Sequence, residues 1–115
     1  MMFDWNKYQQ QLGATIGEIA KLSPDTVRGY TQLGGAGAKT GRLDAKTREL
    51  IALAVSVTRQ CDGRITVHTD AAVKHGATRE EIAEALGVAI SVNAGATLVY
   101  SARVMDAFAA KSTAA

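Results

Sequence analysis

The sequence predicts an all-α fold, a compact bundle of about six helices. Apolar residues recur every three or four positions along most of the chain, the spacing that places side chains on one face of a helix. Several residues have the character of helix N-terminal caps, and no segment alternates strictly between apolar and polar residues as a half-buried strand does. The length of 115 residues corresponds to one domain with one core.

Composition excludes several classes of protein. The 13 basic and 11 acidic residues give a net charge of +2, and the basic residues form no cluster, so neither nucleic acid nor a membrane surface is expected as a partner. The single cysteine, Cys61, rules out an internal disulfide and is typical of a reducing cytoplasm. The N-terminus lacks the form of a signal peptide, and Ser, Asn and Gly interrupt the apolar stretches. We expect a cytoplasmic protein without a membrane span.

The first helix is predicted from Phe3 to Leu22, where apolar side chains have helical spacing. We expect residues 1–22 to form this N-terminal helix and residues 23–110 to form the core. Residues 111–115 are predicted to be a flexible tail.

A second helix is predicted to begin at Ser23-Pro24, since serine caps a helix and proline suits its first position. It should end near Leu33, before the glycine-rich run 34–41. This run resembles a phosphate-binding loop, but Ala38 occupies the position of the glycine before the lysine and no strand leads in. A flexible connector is the prediction here.

Two helices should hold the chemistry. Asp44 is the predicted N-cap of a third helix that runs to about Gln60. A fourth helix should span 62–75 and stop at Gly76, because glycine accommodates the left-handed conformation that ends many helices.

The C-terminal part of the chain predicts two more helices. Thr78 and Glu81 have the spacing of a capping box and should begin a fifth helix. Residues 91–95 should break or kink it before a last helix at 96–108.

Residues 49–68 carry the candidate chemistry, with Glu49, Cys61, Arg64 and His68 as the site residues. Positions 61, 64 and 68 share one helical face, and Arg64 lies within reach of both others. Cys61 and His68 are about 10 Å apart along the axis, too far for a direct bond. Arg64 could pair with Glu49 or bind a substrate carboxylate. The alternatives to a chemical role are that Cys61 is a buried packing residue and that Glu49 forms an ion pair with an arginine of a partner helix. One cysteine and two histidines do not predict a metal site.

These residues resemble the motif of the carboxymuconolactone decarboxylase family, which includes the alkylhydroperoxidase AhpD. In the AhpD motif a glutamate, two cysteines and a histidine follow one another at fixed spacing, and Glu49, Cys61 and His68 match the first, second and last positions. The surrounding segments 43–55 and 68–82 are also similar to the family, so the resemblance covers essentially the whole chain. It implies an AhpD-like helical fold that forms a homo-oligomer, a trimer or hexamer, with no cofactor.

Arg64 departs from the family motif, because it replaces the second cysteine, the reactive thiol of AhpD-like members. The resemblance still implies a peroxide-reducing, peroxiredoxin-type antioxidant protein, with Cys61 as nucleophile, His68 as base, Glu49 in a proton relay and an external thiol as reductant. The alternative is a lyase of the decarboxylase type, which acts on a small carboxylated ring compound through Arg64 and His68. A non-catalytic scaffold is the third possibility.

Overall fold

The structure is a computed structural model that describes residue 2 and residues 4–113. Five helices account for almost all of these residues, and none of them forms a strand. The helices are α1 Trp5–Leu22, α2 Pro24–Thr40, α3 Ala45–Thr58, α4 Asp62–Lys74 and α5 Arg79–Thr113. The all-α prediction is confirmed, with five helices instead of six. Phe3, the predicted start of the first helix, lies outside the described residues, and Asp4 is the N-cap of α1.

The core lies where α3, α4 and the first part of α5 meet. Each of these helices contributes one buried apolar residue, namely Leu53 from α3, Ala72 from α4 and Ala89 from α5. On its other side α4 contacts α1, which in turn packs against α2. The helix α4 is therefore the central element, and the α1–α2 pair packs against it mainly through α1.

The chain is more extended than a compact bundle. Its radius of gyration is 19.3 Å and its principal extents are 59 × 39 × 37 Å. A compact domain of this length has a radius of gyration of about 13 Å. All of the described side chains from position 90 to the end of α5 are exposed.

Local caps fix the starts of α3 and α5. The Asp44 carboxylate accepts a hydrogen bond from the Thr47 N–H at 2.8 Å. Hydrogen bonding from the Thr47 side chain and from this N–H lowers the pKa of Asp44. Thr78 and Glu81 form the predicted capping box, in which each backbone N–H donates to the other's side chain. The second carboxylate oxygen of Glu81 pairs with Lys46 Nζ at 2.7 Å. This ion pair joins α3 to α5, lowers the pKa of Glu81 and raises that of Lys46.

The prediction of a flexible connector at 34–41 is wrong. The helix α2 continues through this run to Thr40, and Gly41, with a φ of 69°, forms its C-cap in the left-handed region. A run with several glycines contains several possible ends, and the sequence does not mark which glycine takes the left-handed conformation.

Residues 91–95 were predicted to break or kink the helix, and the break is wrong, because α5 is one helix of 35 residues. Three polar side chains in this region bond to the carbonyl four residues back, which satisfies them within the helix: Asn93 to Ala89, Thr97 to Asn93 and Ser101 to Thr97. The helix includes residues 111–113 of the predicted tail, and residues 114–115 lie outside the described part of the chain.

Candidate active site

A tight turn between α3 and α4 places Cys61. Gln60 has a φ of 53°, in the left-handed region, and its N–H donates to the Val57 carbonyl. The Cys61 N–H donates to the Ser56 carbonyl at 3.1 Å. These two bonds form a Schellman motif, which ends α3. Cys61 follows at once as the N-cap of α4, without a side-chain capping bond.

Glu49 and His68 form the central contact of the site. Glu49 lies on α3 and His68 on α4, and the distance between Glu49 Oε2 and His68 Nδ1 is 2.7 Å. Both side chains are about three-quarters buried, with exposed fractions of 22% for Glu49 and 24% for His68. The His68 Nε2 atom has no hydrogen-bond partner among the described residues. The structure therefore leaves this nitrogen available to a substrate.

Arg64 bonds to a residue of α2. Its Nη1 donates to the Tyr30 hydroxyl, and its guanidinium carbon lies 5.7 Å from the centre of the Tyr30 ring. The arginine therefore does not pair with Glu49, which was one of its predicted partners. Tyr30 is half exposed, so the pair lies at the protein surface.

Close packing of α1 against α4 holds the α1–α2 pair beside the site. Thr66, a buried residue of α4, lies 3.3 Å from the Gln9 side-chain oxygen. Gly63 allows the helices to approach, since a Cβ at this position would lie 2.9 Å from a Leu12 methyl carbon. This distance is shorter than ordinary van der Waals contact. A glycine between Cys61 and Arg64 thus permits the approach that brings Tyr30 to Arg64.

The four predicted site residues are brought together only in part. Glu49 and His68 are joined directly, whereas Arg64 is joined to Tyr30. Cys61 is half-buried, and within the described residues its sulfur has no hydrogen bond. Tyr30 was missed, because an exposed tyrosine on a predicted helix gives no sequence signal for a contact 34 positions away. No group of three or more His, Cys, Asp or Glu residues within 4–113 could hold a metal ion.

Comparison with known proteins identifies related chains along most of the sequence. Residues 24–107 match the sequence profile of the carboxymuconolactone decarboxylase family. An uncharacterized protein of Haemophilus influenzae is 44% identical over 108 residues, which cover 94% of this chain and 96% of the relative. An uncharacterized protein of Cupriavidus necator is 30% identical over 98 residues, 85% of this chain and 87% of the relative.

A solved structure has the same fold. It is the apo form of a carboxymuconolactone decarboxylase family protein from Legionella pneumophila, 38% identical to this chain. The TM-score is 0.73, and the match covers 90% of this chain and 93% of the Legionella chain. The fold and the sequence therefore lead to the same family.

Proposed function

The chain belongs to the carboxymuconolactone decarboxylase family, and from this premise we propose that it is a cytoplasmic enzyme in which His68 transfers a proton to or from a small carboxylated substrate. The observation that carries the proposal is the 2.7 Å contact between His68 Nδ1 and the Glu49 carboxylate. A direct carboxylate–imidazole pair is a recurrent device of general acid–base catalysis.

Glu49 defines the role of each imidazole nitrogen. An ionised carboxylate can only accept hydrogen bonds, so Nδ1 carries the proton in this contact and the neutral ring has its lone pair on Nε2. When Nε2 takes a proton from the substrate, the Glu49 charge stabilises the imidazolium that forms. The same nitrogen can return the proton to carbon. In a decarboxylation the C–CO₂ bond breaks and its electron pair passes into an adjacent carbonyl to give an enolate. His68 enters this step as the imidazolium, with a proton taken up from solvent on Nε2, transfers that proton to the carbon and is left neutral.

Arg64 is suited to an anionic group that persists through this reaction. A guanidinium bound to the departing carboxylate would stabilise the substrate more than the transition state, because that carboxylate loses its charge as it leaves. A second carboxylate or the enolate oxygen keeps or gains charge. We therefore assign Arg64 to one of these, with Tyr30 as the positioning residue that holds the guanidinium.

Peroxide reduction is the second candidate, and the position of Cys61 favours it. The thiol lies at the N-terminus of α4, where unpaired backbone N–H groups favour negative charge. One-cysteine turnover would convert the thiolate and a hydroperoxide to a sulfenic acid and an alcohol. An external thiol would then reduce the sulfenic acid, because the chain contains no second cysteine. This route needs a separate reductant, whereas the acid–base route uses only groups already in contact.

Two activity assays on three variants separate the candidates. Decarboxylation is followed as CO₂ release from carboxymuconolactone, and peroxide consumption is followed with cumene hydroperoxide and dithiothreitol. We expect His68→Asn to lower the decarboxylation rate by about 10²–10⁴, the usual contribution of a general acid–base residue. Glu49→Gln should lower it less, and Cys61→Ser should not change it.

The opposite pattern would refute the acid–base proposal. One refuting result is that Cys61→Ser abolishes peroxide consumption, while CO₂ release is either absent or unchanged in His68→Asn. The protein would then be a thiol peroxidase. If neither substrate is consumed by the unmodified protein, the scaffold interpretation replaces both.

A further inference from the structure

A groove between α1 and α4, called here the α1–α4 groove, lies apart from the candidate site. It is a cavity of about 440 Å³ with walls from both helices, and Trp5, Ile65 and Val73 form its apolar part. The site residue His68 also lies on α4, but it contacts Glu49 of α3. The groove is therefore on the side of α4 that faces α1, whereas the Glu49–His68 pair is on the side that faces α3.

The size and the lining of the α1–α4 groove suit a small molecule. Binding sites for small ligands are usually concavities of roughly 300–1,000 Å³, with mostly apolar walls and a few polar groups. Here the wall from α1 is aromatic, because it contains the half-buried Trp5, and the wall from α4 is aliphatic, because it contains Ile65 and Val73. The polar groups of the lining include Gln9, Thr66 and Asp70. A ligand that is apolar at one end and polar at the other would match this lining.

Contacts between α1 and α4 hold the two walls of the groove together. The buried Thr66 hydroxyl lies 3.3 Å from the Gln9 side-chain oxygen and 3.5 Å from the Trp5 carbonyl oxygen. Gly63 lies against α1, and a Cβ at this position would be 2.9 Å from a Leu12 methyl carbon. The groove is thus formed by the packing of the folded chain itself. A preformed site binds more tightly, because less conformational freedom is lost when the ligand enters.

Asp70 determines which charge the groove favours. Among the described residues that line the groove, Asp70 alone carries a formal charge. Its Oδ2 lies 3.2 Å from Lys74 Nζ, but the Lys74 side chain is 71% exposed and is not part of the lining. An exposed ion pair of this kind contributes little free energy. The Asp70 Oδ1 atom has no hydrogen-bond partner within the described part of the chain. The carboxylate is therefore available to a cationic group of a ligand.

We propose that the α1–α4 groove binds a small amine, whose ammonium group pairs with Asp70 and whose apolar body lies against Trp5 and Ile65. A primary amine has a pKa of about 10, as lysine does, and is therefore charged at neutral pH. A carboxylated molecule is disfavoured in the groove, because Asp70 repels it. The ligand therefore differs from the anionic substrate that we assign to Arg64, and the groove is a second binding site.

Three probes of similar shape and different charge test the proposal at neutral pH and constant ionic strength. Phenethylamine is a cation, phenethyl alcohol is neutral and hydrocinnamate is an anion. Trp5 is the only tryptophan of the chain, so its fluorescence reports a ligand that enters the groove. We expect phenethylamine to change this fluorescence with a dissociation constant of about 1 mM and the other two probes to bind at least about tenfold more weakly. A dissociation constant above about 10 mM for phenethylamine, or equal binding of hydrocinnamate, would overturn the proposal.

Matched variants show whether phenethylamine binds in the groove. Asp70→Asn should weaken its binding at least about tenfold, because the ammonium loses its carboxylate partner. Asp62→Asn removes a carboxylate from the same helix outside the groove, and His68→Asn alters the candidate site, so both should bind phenethylamine as the unmodified protein does. Thermal unfolding followed by circular dichroism gives a second measurement that does not depend on Trp5, since a ligand of the folded state raises the midpoint. Unchanged binding in Asp70→Asn, or lost binding in either control, would refute the assignment to this groove.

Discussion

Replacement of Gln60 by glycine should stabilise the turn that places Cys61. Gln60 adopts a φ of 53°, and a left-handed conformation costs a residue with a side chain about 1–2 kcal/mol. Glycine avoids this cost. Its greater conformational entropy in the unfolded chain, however, destabilises the fold by about 0.4–1 kcal/mol. The net gain for Gln60→Gly is therefore about 0.5–1 kcal/mol in the free energy of unfolding.

The chain contains a matched control for this prediction. The α4–α5 turn is also a Schellman motif, in which the Gly76 N–H donates to the Val73 carbonyl and the Ala77 N–H to the Ala72 carbonyl. Gly76 has a φ of 81°, so Gly76→Ala should cost about 1 kcal/mol by the same argument. Gln60→Ala keeps a side chain in the left-handed region and should change stability little.

Urea unfolding followed by circular dichroism measures all three variants. The protein concentration must be the same throughout, because the stability of an assembling chain depends on it. The expected order of stability is Gln60→Gly, then the unmodified protein with Gln60→Ala, then Gly76→Ala. If Gln60→Gly is no more stable than the unmodified protein while Gly76→Ala is destabilised, the Gln60 side chain makes a stabilising contact and the backbone argument is refuted for this turn.

Two further predictions concern charge. Iodoacetate, an anion, and iodoacetamide, which is neutral, both alkylate the Cys61 thiolate. Both rates are proportional to the thiolate fraction, so their ratio does not depend on it and reports the electrostatic potential at Cys61. Arg64→Gln should lower the iodoacetate-to-iodoacetamide ratio about threefold, the effect of one charge at about 6 Å in water, and an unchanged ratio would show that the guanidinium does not act on the site. The lowered pKa of Glu81 stabilises the fold fully above the ordinary value of 4.5 and progressively less as the pH falls below it. The free energy of unfolding in urea, measured at pH 6 and at pH 3.5, should therefore fall less between the two pH values in Glu81→Gln than in the unmodified protein. The control Glu84→Gln should lose as much as the unmodified protein, and equal losses in all three would contradict the prediction.

The sequence predicted the helix starts better than the helix ends, for a physical reason. The caps at Asp44 and Thr78 are made within four residues, so the pattern contains the whole interaction. The end of α2 depends on which of several glycines becomes left-handed, and Gly41 was not the one expected. The unbroken α5 passes through Asn93 and Gly95, and since asparagine and glycine occur both at helix ends and within helices, their presence alone does not locate an end.

In the candidate site, too, local features could be predicted from the sequence and contacts between helices could not. Helical spacing placed Arg64 and His68 on one face of α4, and the family motif included Glu49. The Glu49–His68 contact itself depends on how α3 and α4 pack, since the two residues lie 19 positions apart. The partner of Arg64 could not be predicted, because the contact of Tyr30 with Arg64 depends on how α1 and α2 pack beside α4.

The arginine at position 64 links the candidate site to the α1–α2 pair. The arginine side chain is long and carries five N–H donors, and one of them bonds to Tyr30 of α2. A cysteine at this position is short and has only a weak S–H donor, so it could not make this contact. Gly63, one residue earlier, lies against α1, and a side chain at this position would require the Leu12 side chain to shift. Because α2 packs against α1, a displacement of α1 from α4 would also move Tyr30 relative to Arg64. If Arg64 binds the substrate anion, the position of the first two helices sets the affinity of the site while the Glu49–His68 pair, held between α3 and α4, carries the proton transfer.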